Sequence, residues 1–195
     1  MSLLRTFIAI ELPDAIQHAI EKETARLRES IDSGCVRWTP VDNVHVTLKF
    51  LGDSSAPNIE LLKQMLDREA AAVPPFEVTL QNLGSFPNQR RPRIIWIGLE
   101  APAALASLQR AVEAGAARLG YEAEGRPFSP HLTIGRVRQN LQPAQLQTIG
   151  MRLKENQIGR IGSSRVDSVE LFKSDLQPQG SVYTILHSAS FLGTA

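Results

Sequence analysis

The order strand, helix, strand, helix, strand occurs twice in this chain, and a His-x-Thr triplet falls at the same place in both copies. In the first copy β-formers run from Leu4 to Glu11. Pro13-Asp14 then opens a helix with Ile16, Ile20, Leu27 and Ile31 on one face. A strand follows over Val44 to Leu51, then a helix carrying Ile59, Leu62, Leu66 and Val73, then a strand alternating Phe76, Val78 and Leu80. The second copy reads strand Ile94–Leu99, helix Pro102–Leu119, strand His131–Arg136, helix Pro143–Lys154 and strand Arg165–Lys173. A last strand is expected over 181–190.

A duplication of this kind constrains the fold to an α+β class: two β-α-β-α-β units, about 4–83 and 94–173, related by pseudo-twofold symmetry. Two mainly antiparallel sheets then face a central groove. No Pro/Gly-rich linker separates the copies, so residues 1–195 are expected to form a single bilobal domain. Strand order within the sheets cannot be deduced from the pattern.

Composition narrows the partners. The formal net charge is +1, so contact with a polyanion must come from clustered residues and not from the field of the whole molecule. The single cysteine, Cys35, cannot form an internal disulfide, and no Cys/His cluster has zinc-finger spacing. With no apolar run of signal-peptide or membrane-span length, the expectation is a soluble, monomeric, cytoplasmic protein with no membrane association.

The triplets Val44-His45-Val46-Thr47-Leu48 and Pro130-His131-Leu132-Thr133-Ile134 put His and Thr on one face of a strand and the aliphatics on the other. The aliphatic face goes to the core. The polar faces offer two imidazoles that titrate near neutrality and two hydroxyls. A phosphodiester hydrolase needs a base for the attacking water, an acid for the departing alkoxide and donors for the phosphoryl oxygens, and these four side chains supply them. A lone His-x-Thr is more often a satisfied structural histidine. A matched pair is not so readily dismissed. Two imidazoles without a carboxylate fall short of the three protein ligands usual at catalytic zinc, so no metal site is expected. No phosphate-binding Gly-rich loop occurs, and no cofactor is expected.

The chain resembles the two-histidine (2H) phosphoesterases, and within them the RNA 2′,3′-cyclic phosphodiesterases formerly called 2′-5′ RNA ligases. The likeness rests on Arg5-Thr6-Phe7-Ile8-Ala9-Ile10-Glu11-Leu12-Pro13, on Trp38-Thr39-Pro40 with His45-Val46-Thr47-Leu48-Lys49-Phe50-Leu51-Gly52, and on Pro127-Phe128-Ser129-Pro130-His131-Leu132-Thr133-Ile134-Gly135-Arg136. Leu171-Phe172-Lys173-Ser174 and Tyr183-Thr184-Ile185-Leu186 also fit.

The resemblance implies hydrolysis of RNA 2′,3′-cyclic phosphate ends to 2′-phosphates, with reverse 2′-5′ ligation as a companion reaction. It further implies His45 as proton donor to the leaving 3′ oxygen and His131 as base for water; the repeat alone leaves these roles open. Thr47, Thr133 and Arg136 are implied as phosphate contacts, and Phe50 as a surface for a nucleobase. Phe50 and Arg136 each lie five residues beyond a histidine, the wrong parity for a regular strand, so a bulge or strand end must re-aim them. Arg90, Arg91 and Arg93 form a basic loop able to track an RNA backbone. Two other readings remain open: the same chemistry on small cyclic nucleotides, ADP-ribose cyclic phosphate or 2′-5′ oligonucleotides, and a non-catalytic RNA or nucleotide binder.

Overall fold

A computed structural model describes residues 3–178 and 180–193. The chain runs through β1 (Leu4–Ile10), α1 (Asp14–Ser30), β2 (Val36–Trp38), a short 3₁₀ turn (Val41–Asn43), β3 (Val46–Ser54), α2 (Ala56–Ala71), β4 (Phe76–Phe86) and β5 (Ile94–Glu100). It continues through α3 (Ala103–Arg118), β6 (His131–Val137), α4 (Pro143–Glu155), β7 (Arg160–Val166), β8 (Ser168–Gln177) and β9 (Gly180–Ser190). No helix among the described residues is long and apolar enough to cross a membrane.

The helices form where the apolar spacing required them. Ile20, Thr24 and Leu27 give α1 its buried stripe, Ile59, Leu62 and Leu66 that of α2, Leu105, Leu108 and Val112 that of α3, and Ile149 and Leu153 that of α4. Their starts are marked by local chemistry. Ser55 accepts a hydrogen bond from the Asn58 N–H at the head of α2. The Gln145 side chain accepts from the Gln142 N–H at the head of α4, with Pro143 as first helical residue. These stripes and the inner faces of the strands merge into a core that draws on both copies of the repeat.

The strands form a mixed order that the pattern did not reveal. They run β7-β4-β5-β6-β3-β1-β8-β9, with β2 added to the C-terminal end of β6, and every pairing among the described residues is antiparallel. Read outward from the β6/β3 junction, the order is β6, β5, β4, β7 on one side and β3, β1, β8, β9 on the other. This is the twofold relation. The copies of the repeat are nevertheless not the halves of the sheet. β4, from the first copy, pairs with β5 of the second, and β8, from the second, pairs with β1 of the first. Each copy thus locks itself to the other with its last strand. The two halves meet through one residue pair, Val46 with Leu132.

One expected strand is two. The run Arg165–Lys173 breaks at Asp167: β7 ends at Val166 and pairs with β4, while β8 begins at Ser168 and pairs with β1. A single connecting residue between strands in opposite halves requires the sheet to curl, which makes its inner surface a groove. The Asp167 carbonyl is satisfied by the Phe191 N–H at 2.7 Å. The short β2, which the hydrophobic pattern did not suggest, is held by pairing of Val36–Trp38 with Gly135–Val137. The last strand matches its expected span, with Gly180 added; Gln179 lies outside the described residues.

Candidate active site

The residue pair joining the two halves is also the centre of the site. Val46 and Leu132 are buried in the core, so the residues before and after them point the other way, into the groove. His45 and Thr47 flank Val46; His131 and Thr133 flank Leu132. Counted outward from that bridge, Thr47 comes opposite His131 and His45 opposite Thr133. Diagonal neighbours on adjacent strands lie about 7–8 Å apart, a separation that leaves room for one phosphoryl group between the imidazoles.

The parity problem posed by Phe50 and Arg136 is solved by two bulges at equivalent places. β1 pairs Ile8 with Lys49 and Ala9 with Thr47, leaving Leu48 as an extra residue on β3. β5 pairs Ile95 with Gly135 and Trp96 with Thr133, leaving Ile134 as an extra residue on β6. In both cases the extra residue is the one after the threonine. It turns two successive residues toward the core, Leu48 with Lys49 and Ile134 with Gly135, and brings Phe50 and Arg136 out on the face of the histidines. Phe50 is 64% exposed, too open to be a core aromatic.

The same bulge buries a lysine. The Lys49 ammonium donates to Glu113 Oε1 of α3 at 2.6 Å and to the Glu122 carbonyl, which fastens β3 to the helix behind it. Opposite, Gly135 has no room for a side chain: a Cβ there would sit 2.9 Å from both Trp38 and Val36.

His131 is oriented by the chain just before it. Its Nδ1–H donates to the Ser129 carbonyl at 2.7 Å, since a carbonyl can only accept, and in the neutral ring this leaves the Nε2 lone pair free. Phe86 packs edge-on against the ring, with centroids 5.0 Å apart. His45 is held in the corresponding way by the backbone of Asn43, also two residues earlier. Its ring stacks on Phe7 at 4.8 Å and meets the edge of Tyr183 at 5.3 Å. Phe7, Ala9 and Phe172, with Tyr183 against them, form an apolar cluster on the groove side, distinct from the main core.

Burial in that cluster pulls the His45 imidazole down from its ordinary value to about 4; the Asn43 hydrogen bond opposes the shift and the positive charge of Arg136 adds to it. Arg136 is therefore within electrostatic reach of His45, although it comes from the other half of the sheet.

Five of the six expected site residues thus gather at or beside the bridge, and Phe50 borders them through Phe7, at 6.2 Å. Phe7 and Phe172 lie in runs that carry the family likeness but had no role assigned to them, and their place under His45 follows from the pairing of β1 with β8. Arg90, Arg91 and Arg93 lie on the β4–β5 connection; the Arg93 carbonyl accepts from the Val137 N–H at 2.9 Å, next to Arg136. The remaining histidines are elsewhere: His18 donates to the Asp14 carbonyl within α1, and His187 pairs with Asp67 of α2. Among the described residues no three His, Cys, Asp or Glu side chains converge.

The chain is similar over nearly its whole length to known proteins. Residues 3–177 match the model of the 2′-5′ RNA ligase superfamily. An RNA 2′,3′-cyclic phosphodiesterase from Methanothermobacter thermautotrophicus is 31% identical over 93% of this chain and 95% of its own length. One from Aquifex aeolicus is 29% identical over 95% of this chain and 96% of its own. Among solved structures, TT0787 of Thermus thermophilus superposes with a TM-score of 0.80 at 26% identity, covering 98% of this chain and all of its own. E. coli LigT complexed with 3′-AMP gives 0.78 at 27% identity, covering 97% and 99%.

Proposed function

Because the chain belongs to the 2′-5′ RNA ligase superfamily of two-histidine phosphoesterases, we propose that it hydrolyses the 2′,3′-cyclic phosphate ends of RNA to 2′-phosphomonoesters, without a metal, using His45 and His131 as acid and base. The observation that carries this reading is the placement of both histidines beside a single backbone bridge, with their threonines and the bulged Phe50 and Arg136 on the same groove. Both copies of the repeat contribute to one site, so they act as one catalytic domain.

Each residue has its own part in the reaction. The cyclic phosphate sits between the imidazoles, its oxygens held by the Thr47 and Thr133 hydroxyls and by the Arg136 guanidinium. The terminal base stacks on Phe50. His131, with Nδ1–H committed to the Ser129 carbonyl, offers Nε2 to the attacking water and takes its proton. His45 protonates the departing 3′ oxygen, leaving the phosphate on the 2′ oxygen.

A donor needs a proton, and burial keeps the His45 ring neutral at pH 7. An anionic phosphodiester favours the charged ring in two ways: it attracts the imidazolium directly and it neutralises Arg136. His45 therefore takes up a proton from solvent as the substrate binds. With a ribose 5′-hydroxyl in place of water, the same steps form a 2′-5′ linkage.

E. coli LigT has been solved with 3′-AMP, which supports a second reading, action on nucleotide-sized cyclic phosphates. Incubation with a cyclic-phosphate-ended oligonucleotide and with the corresponding mononucleotide, both in excess EDTA, tests both readings. Release of a 2′-phosphate from the oligonucleotide supports the first, exclusive turnover of the mononucleotide the second. Intact substrate in both tubes refutes hydrolysis and leaves a nucleotide-binding protein.

A further inference from the structure

The twofold relation between the halves is broken directly beside His131. In the antiparallel pairing of β5 with β6, Gly98 lies opposite His131 and Trp96 opposite Thr133, so all four occupy the groove face. Gly98 contributes no side chain there. Its counterpart in the other half, counted through the matching pairings, is Glu11, whose N–H is bound by the buried Glu170 carboxylate. Beside His45 the groove face is packed by Phe7 and Tyr183, whereas beside Gly98 it is open.

The opening is a cavity of about 290 Å³, near the lower end of the usual range for small-molecule sites, about 300–1,000 Å³. Its walls have a specific character. The Trp96 indole lies flat over Gly84, whose Cβ would come 2.2 Å from the ring, and Phe86 packs against Trp96 at 5.3 Å and against His131 at 5.0 Å. Polar edges come from Gln81, whose amide donates to Glu100 at 3.0 Å, from Asn82 and from Ser129. Asn82 takes φ 65° as the extra residue of a bulge between Gln81 and Leu83, which holds this rim out of the regular ladder. The Gly98 position cannot be filled cheaply, because a Cβ would lie 2.9 Å from the Gln81 carbonyl.

We propose that this cavity is the subsite for a nucleoside whose 5′-hydroxyl takes the place of water. The proposal rests on the acid and base roles given above. In an in-line displacement at phosphorus the attacking and departing oxygens lie on opposite sides. With His45 serving the departing 3′ oxygen, the cyclic-phosphate nucleoside belongs to the His45 and Phe50 half. The attacking group enters on the His131 side, where the cavity is. An aromatic wall with amide, hydroxyl and carboxylate edges suits a nucleobase, by stacking and by hydrogen bonding of its edge. The step balances: the 5′ oxygen bonds to phosphorus, the P–O3′ bond breaks, His131 receives the proton of the 5′-hydroxyl and His45 supplies one to O3′. The product is a 2′-5′ phosphodiester with a free 3′-hydroxyl.

The test follows the partition of one substrate between water and a 5′-hydroxyl. A cyclic-phosphate-ended oligonucleotide is incubated with a 5′-hydroxyl oligonucleotide, and 2′-phosphate and 2′-5′-linked products are separated and counted. Trp96→Ala should lower the ratio of transfer to hydrolysis about five-fold or more while hydrolysis by water continues. If Trp96→Ala loses hydrolysis as well, the paired change Gln81→Ala with Glu100→Ala, at the rim, decides by the same ratio. An unchanged ratio in a variant that still hydrolyses overturns the subsite, as does a wild type that hydrolyses but transfers to no acceptor. A wild type that does not hydrolyse at all refutes the underlying reaction instead.

Discussion

Val46 and Leu132 are the residue pair through which the two halves of the sheet hydrogen-bond, and each stands between the histidine and the threonine of its own triplet. The separation of the two imidazoles is therefore set by backbone pairing and by the packing of two aliphatic side chains on the far face, not by loops.

Leu132→Ala should expose that dependence. The side chain is fully buried, so its loss should cost about 2–5 kcal/mol in urea denaturation. Turnover at saturating substrate should fall more than in Leu66→Ala, an equally buried change in α2 away from the bridge. Equal turnover in the two variants would show that the bridge does not position the histidines.

Lys49→Met separates stability from catalysis. The lysine is buried by the bulge that turns Phe50 outward, and removing it takes the ammonium from the Glu122 carbonyl and from the Glu113 carboxylate, which keeps only the Glu124 N–H. Breaking such a pair typically costs about 3–5 kcal/mol. Lys49→Met together with Glu113→Leu should recover much of that loss, a double-mutant comparison read from denaturation midpoints.

The depressed His45 imidazole makes two measurable statements. It is neutral in both folded and unfolded chains well above pH 6.5. As pH falls below about 6.5 the unfolded chain binds the proton first, so stability declines until about pH 4, where the folded ring titrates too. The total is about 3 kcal/mol, and His45→Phe should flatten that part of the stability profile. A bound nucleoside 2′-phosphate should move the His45 titration, followed by NMR, upward by roughly 3 pK units, the equivalent of one anion about 4 Å away at an effective dielectric near 20. Without ligand, Arg136→Ala should shift it in the same direction by less. A ring that stays near 4 with ligand bound is no proton donor at neutral pH.

Much of this site was legible in the chain. Period-two alternation placed His45 with Thr47 and His131 with Thr133, and the odd spacing to Phe50 and Arg136 demanded bulges that the pairings of β3 with β1 and of β6 with β5 contain. The exchange of β4 and β8 between the halves was not legible, because partner choice among similar apolar strands is a long-range property that local pattern does not encode. The break at Asp167 was hidden for a related reason: Val166 and Val169 are both buried, and only their different partners divide the run. Period-two alternation alone would put Lys49 on the face of His45 and Thr47, and the bulge turns it to the core instead. The cavity beside His131 is made by the absence of a side chain at Gly98, and an absence leaves no periodic mark.

The central claim is that two imidazoles, one from each copy of the repeat, share one reaction. It is tested most directly by the rate constants of His45→Ala, His131→Ala and the double variant on a cyclic-phosphate-ended RNA in EDTA. Each single change should lower kcat/KM by about 10²-fold or more. The double variant should lose much less than the product of the two, because an acid and a base acting in one step do not contribute independently. Retained activity in the double variant, or single variants whose losses multiply in full, would contradict the account.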